Sequence, residues 1–120
     1  MEKKNLDWAN IGFSYVTTDY RYVSNYKDGK WDEGTLTEDP NVVINECAGI
    51  LQYCQECFEG LKAYTTEDGH IVTFRPDLNA ERMMDSCARL EMPQFPKERF
   101  MDALDTVSYT HLTLPTNSLV

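Results

Sequence analysis

The side chains with the strongest intrinsic chemistry in this sequence are four cysteines, two histidines and a scatter of lysines. Cys54-x-x-Cys57 has the spacing of half a zinc site or of a dithiol redox pair. A structural zinc site needs further well-placed ligands. Cys47 and Cys87 stand at irregular distances, and His70 falls in a turn signal, so a small zinc protein built on Cys47, Cys54, Cys57 and Cys87 is the weaker alternative. A redox pair needs a thiol activated at a helix N-terminus within a βαβ unit, which the surrounding pattern does not indicate. The cysteines therefore read as small packing residues. There is no G-x-x-x-x-G-K-[ST] loop, no G-x-S-x-G elbow and no H-E-x-x-H pair.

The elements that must position any site follow from residue patterning. Ile11 to Val23 is rich in β-branched and aromatic residues, as strands are. Asp28-Gly29 suits a tight hairpin turn. DEGTLTEDPN reads as a loop, Val42 to Ile44 as a short apolar strand, and Gly49 to Phe58 as a short helix. LKAYTT and HIVTF flank Glu67-Asp68-Gly69, the clearest hairpin signal in the chain. Pro76 opens a helical stretch, PDLNAERMMDSCARL, with Ala80, Met83, Met84 and Cys87 on one face. Arg82, Ser86 and Arg89 form a neighbouring polar stripe. Met92-Pro93 ends that helix, and Pro96 starts another with Phe100, Met101 and Leu104 on one side. Strands, a hairpin and then helices predict an α+β fold, with antiparallel strands and packed helices.

The 120 residues suffice for one domain or part of a larger protein. The net charge of −9, from 20 acidic and 11 basic residues, repels phosphate backbones, and no basic patch offsets it; nucleic acid is not an expected partner. No long apolar run predicts a signal peptide or a membrane span. The default expectation is the cytoplasm, where cysteines stay as free thiols.

Two segments say more. YCQECFEGLKAY (Tyr53 to Tyr64) and FRPDLNAERM (Phe74 to Met83), in this order and separation, resemble the small domain of branched-chain amino acid aminotransferases, pyridoxal-phosphate enzymes of fold type IV. The similarity runs from about Leu6 to Asp105 and includes IGFSYVTTDY and INECAGILQY. FEGLKAY followed by FRP-x-x-N-x-x-R-M is specific to this family; related D-amino acid aminotransferases and aminodeoxychorismate lyases diverge at these words. The resemblance implies that Arg82 binds the cofactor phosphate, a role suited to a planar guanidinium fork. It implies that Tyr53 reaches into the substrate pocket, from the partner subunit of a homodimer, and that Phe58 lines the pocket for the branched side chain. Gly60 reads as a backbone device. The implied reaction moves an amino group between leucine, isoleucine or valine and 2-oxoglutarate.

The chain departs from the family pattern in two places. Many members have His-Tyr-Gly where Gln52-Tyr53-Cys54 stands here, and many carry an aromatic residue near Thr17; both leave the fine substrate preference open. The family's Schiff-base lysine lies in a second, larger domain. Lys3, Lys4, Lys27, Lys30, Lys62 and Lys97 have no matching context, and Lys62 belongs to the L-K-A-Y word. The resemblance therefore supplies no catalytic residue within this chain, and the chain alone is expected to be inactive.

The similarity stops at Val107, inside a helical pattern. Read back into codons, VSYTHLTLPT can be GTC TCT TAT ACA CAT CTG ACG CTG CCG ACG, which resembles the transposase adapter of tagmentation sequencing libraries. The adapter's preceding CT fits Thr106, its next A fits Asn117, an index supplies Ser118 and Leu119, and GTGTAG gives Val120 and a stop. Residues 1–105 are thus expected to be an incomplete aminotransferase small domain, and 106–120 an artefactual, disordered tail in which Tyr109 and His111 carry no chemistry. The alternative is a genuine short, non-catalytic binding or dimerisation module. Amplifying the gene from source DNA without such adapters is expected to show the frame continuing past the Asp105 codon into a lysine-bearing domain. A genomic stop after Val120 would sink the adapter reading.

Overall fold

The computed structural model describes residues 10, 12 and 15–110. Its strands are β1 (Arg21–Val23), β2 (Tyr26–Lys27), β3 (Lys30–Trp31), β4 (Thr35–Thr37), β5 (Ala63–Thr65) and β6 (Ile71–Thr73). Its helices are α1 (Gly49–Tyr53), α2 (Pro76–Arg89) and α3 (Lys97–Thr110). All pairings are antiparallel, β1 with β4, β2 with β3 and β5 with β6. The mixture of short antiparallel strands and packed helices is the expected α+β arrangement.

The first two sheets are nested. β2 and β3 close on Asp28-Gly29, both with positive φ, 52° and 82°, the combination a type I′ turn requires. Outside them, Tyr22 faces Leu36 across β1 and β4. Asp32 joins the two sheets: its carboxylate accepts from Ser24 Oγ (3.0 Å), Asn25 N (3.0 Å), Asn25 Nδ2 (3.0 Å) and Gly34 N (3.0 Å). These donors hold its pKa below the usual carboxylate value, the Asn25 side chain contributing most. Gly34, at φ +75°, lies where a Cβ would overlap Tyr22 Oη. The Tyr22 hydroxyl uses that space to donate to Glu33 O at 3.0 Å.

The nested hairpin docks on the helices through Trp31 and Arg99. Trp31 Nε1 donates to Gln94 O at 2.9 Å, and its ring stands edge-on to Phe95, centroids 5.0 Å apart. Arg99 lies over the same Phe95 ring, 5.2 Å from its centroid, and donates to Asp32 O and Ser24 Oγ. The helices α2 and α3 pack together, and α3 contacts β1.

Local chemistry explains the bounds of α2. Arg75 takes a left-handed conformation before Pro76, and its guanidinium pairs with Asp77 at 2.9 and 2.7 Å, pulling that carboxyl down to about 2. At the other end Glu91 is left-handed (φ 54°), and Met92 N reaches back to Cys87 O at 2.8 Å. That closure resembles a Schellman motif with Glu91 where glycine is usual. Pro93 follows, as expected of a helix stop.

Several sequence expectations are corrected. Thr35–Thr37, inside the predicted loop DEGTLTEDPN, is a strand, because β-branched threonines pair with β1 despite their acidic surroundings. Val42 to Ile44 is not a strand; the run is exposed, Val43 at 96%, and β propensity alone supplies no partner. The helix predicted over Gly49 to Phe58 stops at Tyr53, where Cys54 turns left-handed (φ 50°). Of the strand predicted over Ile11 to Val23, Tyr15 to Thr18 is irregular and Arg21–Val23 is strand; residues 11, 13 and 14 lie outside the described residues. Residues 106–110, expected to be disordered, continue α3. ALDTVSYT contains neither glycine nor proline, and Thr106 Oγ1 bonds back to Asp102 O at 2.7 Å. Residues 111–120 lie outside the described residues.

The core is thin. Among the described residues only Ala80 (1% exposed), Cys87 (4%) and Asn79 (7%) are buried, all on α2. In the intact protein, Trp31→Phe is expected to cost about 1 kcal/mol of unfolding free energy by removing the Gln94 bond. Trp31→Ala is expected to cost about 3 kcal/mol by also removing the ring contacts. Urea unfolding measures both; equal losses would show that the hydrogen bond alone carries the docking.

Candidate functional site

Residues 55–60 run antiparallel alongside α2. Gln55 Nε2 donates to Leu90 O at 2.9 Å, at the helix end. Cys57 Sγ lies 3.5 Å from Cys87 Sγ. Nearer the start of the helix, Glu59 meets Arg82, and the Gly60 carbonyl meets Asn79. The two motif words of the sequence are thus joined residue by residue.

The joint centres on the Glu59 carboxylate. Its Oε1 accepts from Arg82 Nε at 3.1 Å, and its Oε2 accepts from Arg82 Nη2 at 2.9 Å. Asn79 Nδ2 donates to the same Oε2 at 2.8 Å and to Gly60 O at 3.1 Å. Asn79 and Arg82 stand three positions apart on α2, so both project to one side. The Arg82 bonds hold the Glu59 pKa below its ordinary value, with Asn79 adding to the effect and desolvation opposing it. Glu59 in turn raises that of Arg82. Exposure grades outward from Asn79 through the Glu59 side chain (14%) to the Arg82 side chain (59%).

The structure therefore places Arg82 beside Phe58-Glu59-Gly60. Phe58 is 90% exposed, and Tyr53, last residue of α1, is 85% exposed; no hydrogen bond or ion pair joins Tyr53 to Arg82 among the described residues. Gly60 is not left-handed, but a Cβ there would meet the Phe58 ring at 3.3 Å. The pairing of Arg82 occupies Nε and Nη2 and leaves the Nη1 edge for an anion, which fits a phosphate-bearing cofactor. Glu59 and Asn79 stand in the two motif words, but patterning assigns neither of them a role. The available signal was Asn79 three residues before Arg82, extending the polar stripe into the buried side of α2, where an amide needs partners.

The cysteines do not form a metal centre. Cys47 and Cys54 are exposed, and no cluster of three or more histidine, cysteine or acidic residues capable of holding a metal occurs among the described residues. The zinc alternative on Cys47, Cys54, Cys57 and Cys87 fails on this geometry. Burial, together with the neighbouring Cys57 thiol, pushes Cys87 up to about 11, so it stays a protonated packing group.

No protein-family model matches the chain. Curated proteins do. A branched-chain-amino-acid aminotransferase of Haemophilus influenzae is 55% identical over 104 residues, covering 87% of this chain and 30% of the relative. One of Helicobacter pylori is 46% identical over 100 residues, covering 83% of this chain and 29% of the relative. The chain belongs with the branched-chain-amino-acid aminotransferases. A methionine aminotransferase of Arabidopsis thaliana is 41% identical over 105 residues, covering 87% of this chain and 30% of the relative. This aminotransferase segment thus spans under a third of the length of the relatives it matches. No helix among the described residues is long and apolar enough to cross a membrane.

The Glu59–Arg82 pair makes a pH prediction. The folded-state pKa of Glu59 lies below its ordinary 4.5, so the pair's contribution is present above about pH 4.5 and is lost as pH falls through the lowered value. NMR titration of the Glu59 carboxyl is expected to show a depressed pKa that rises in Arg82→Ala. An ordinary glutamate titration in the unmutated protein would show that the pair does not persist in solution.

Proposed function

We propose that the intact protein is a fold-type IV, pyridoxal-phosphate-dependent transaminase of leucine, isoleucine and valine with 2-oxoglutarate, working as a cytoplasmic homodimer. Residues 1–105 are its small domain, which is inactive alone. The observation that carries this reading is the joint between the FEG word and Asn79-x-x-Arg82. It presents a fixed guanidinium edge beside an exposed aromatic, in a segment 55% identical to a named branched-chain enzyme. The cofactor supplies the electron sink for amino transfer when bound. The residues of this chain bind and shape. Arg82 holds the phosphate, Phe58 provides apolar wall for the branched side chain, and Tyr53 orients substrate across the dimer interface.

The exposure of Tyr53 and Phe58 supports a pocket completed by other parts of the assembly, since large aromatics in a lone domain are otherwise covered. Four free thiols suit a reducing compartment. The relative named a methionine aminotransferase makes selection among aliphatic side chains a property of pocket shape, where one methylene changes kcat/KM only about 10- to 200-fold.

In the intact gene product, Arg82→Ala is expected to raise the Kd for pyridoxal phosphate about 100-fold, with Arg82→Lys intermediate. Phe58→Ala is expected to lower kcat/KM for leucine about tenfold or more, with a smaller loss for alanine. Unchanged cofactor affinity in Arg82→Ala would remove Arg82 from the phosphate site. Absence of branched-chain transamination in the unmutated protein would refute the activity.

A further inference from the structure

The Arg82 guanidinium is mostly exposed, yet two of its nitrogens are committed to one carboxylate. An exposed arginine samples many rotamers, and a ligand that binds it must first order it. Here the ordering is built in. Asn79, buried on α2, holds Glu59 Oε2 and the Gly60 carbonyl together. Glu59 then holds the guanidinium by two parallel bonds, the geometry with the greatest orientational restraint. Its carboxylate lies on the side of the guanidinium opposite the free Nη1 edge, so the cation stands between Glu59 and any anion that approaches that edge.

We propose that Glu59 is a positioning residue for the cofactor phosphate: through the Asn79–Glu59–Arg82 chain it fixes the guanidinium so that its Nη1 edge meets the phosphate already oriented. The inference rests on the reading of Arg82 as the phosphate anchor. It adds that a negatively charged residue strengthens the binding of a negatively charged group. The opposite expectation follows from charge alone, because removing a carboxylate near a phosphate relieves repulsion. Two features favour positioning. Repulsion is screened at a guanidinium this exposed, whereas an arginine released from both bonds regains all of its side-chain freedom.

The test uses the intact gene product, freed of cofactor and titrated with pyridoxal phosphate. Glu59→Gln removes the charge and one of the two strong acceptors while keeping the shape. It is expected to raise the Kd about tenfold, the scale on which outer partners tune a bound charged group, and to shift or broaden the cofactor's phosphorus NMR resonance. The melting temperature of the cofactor-free protein should fall somewhat, because the same bonds hold residues 55–60 on α2, so affinities are compared at a temperature where both proteins are folded. Adding Glu59→Gln to Arg82→Ala should cost nothing further. Glu59→Asp, which keeps the carboxylate on a shorter arm, should fall between wild type and Glu59→Gln, and it decides the matter if Glu59→Gln does not fold. Affinity in either folded Glu59 variant that equals or exceeds wild type, while Arg82→Ala weakens binding, overturns the positioning role alone. Wild-type affinity in Arg82→Ala overturns the anchor reading beneath it.

Discussion

The segment from Gln55 to Gly60 lies against α2 because one carboxylate satisfies two different donors on that helix. Glu59 takes the Asn79 amide on its buried side and the Arg82 guanidinium on its exposed side. Without that bridge, Asn79 would be a buried amide with only the Gly60 carbonyl, and a polar group so placed is costly to leave under-bonded. The other contacts along the segment, Gln55 to Leu90 and Cys57 to Cys87, are weaker and extend the register that Glu59 sets. An exposed pair is normally worth little. This one differs because its carboxylate is mostly covered and shared with a buried partner.

The same constraint accounts for the placement of the aromatic beside it. Phe58 precedes Glu59, so alternation along an extended segment sends its ring away from the helix when Glu59 points toward it. The residue is left exposed. The helix contributes the fixed reference and the loop contributes the variable surface, a division common to sites built from a loop on a rigid support.

Much of the architecture was legible wherever the signal was local. Asp28-Gly29 and Glu67-Asp68-Gly69 mark their turns because positive φ and short side-chain bonding are properties of those residues themselves. α2 was legible from Pro76 and from the spacing of Ala80, Met83, Met84 and Cys87. What failed depended on partners distant in the chain. Thr35–Thr37 is a strand only because Arg21–Val23 is there to pair with it, whereas Val42 to Ile44 has the composition of a strand without the pairing. The prediction of a longer α1 failed for a local reason that composition hides, since cysteine is no habitual left-handed residue, yet Cys54 adopts that conformation. Within the candidate site, Arg82 and Phe58 stand in the motif words and are legible as candidates from them. The bridge between those words was invisible to spacing, because Asn79 and Glu59 are 20 positions apart.

The nested hairpin has a consequence for the order in which structure forms. Its turns and the Asp32 cluster join residues close in the chain, so it can close within microseconds of the segment becoming free to fold. Its docking cannot. Trp31 and Gln94 are 63 positions apart, and their meeting requires that α2 has formed and turned back past Glu91. Until then the Trp31 ring remains on an already formed hairpin, with Phe95 not yet available to cover it. Quenching or shift of indole fluorescence at this position would therefore report the late docking step, separately from closure of the hairpin that carries it.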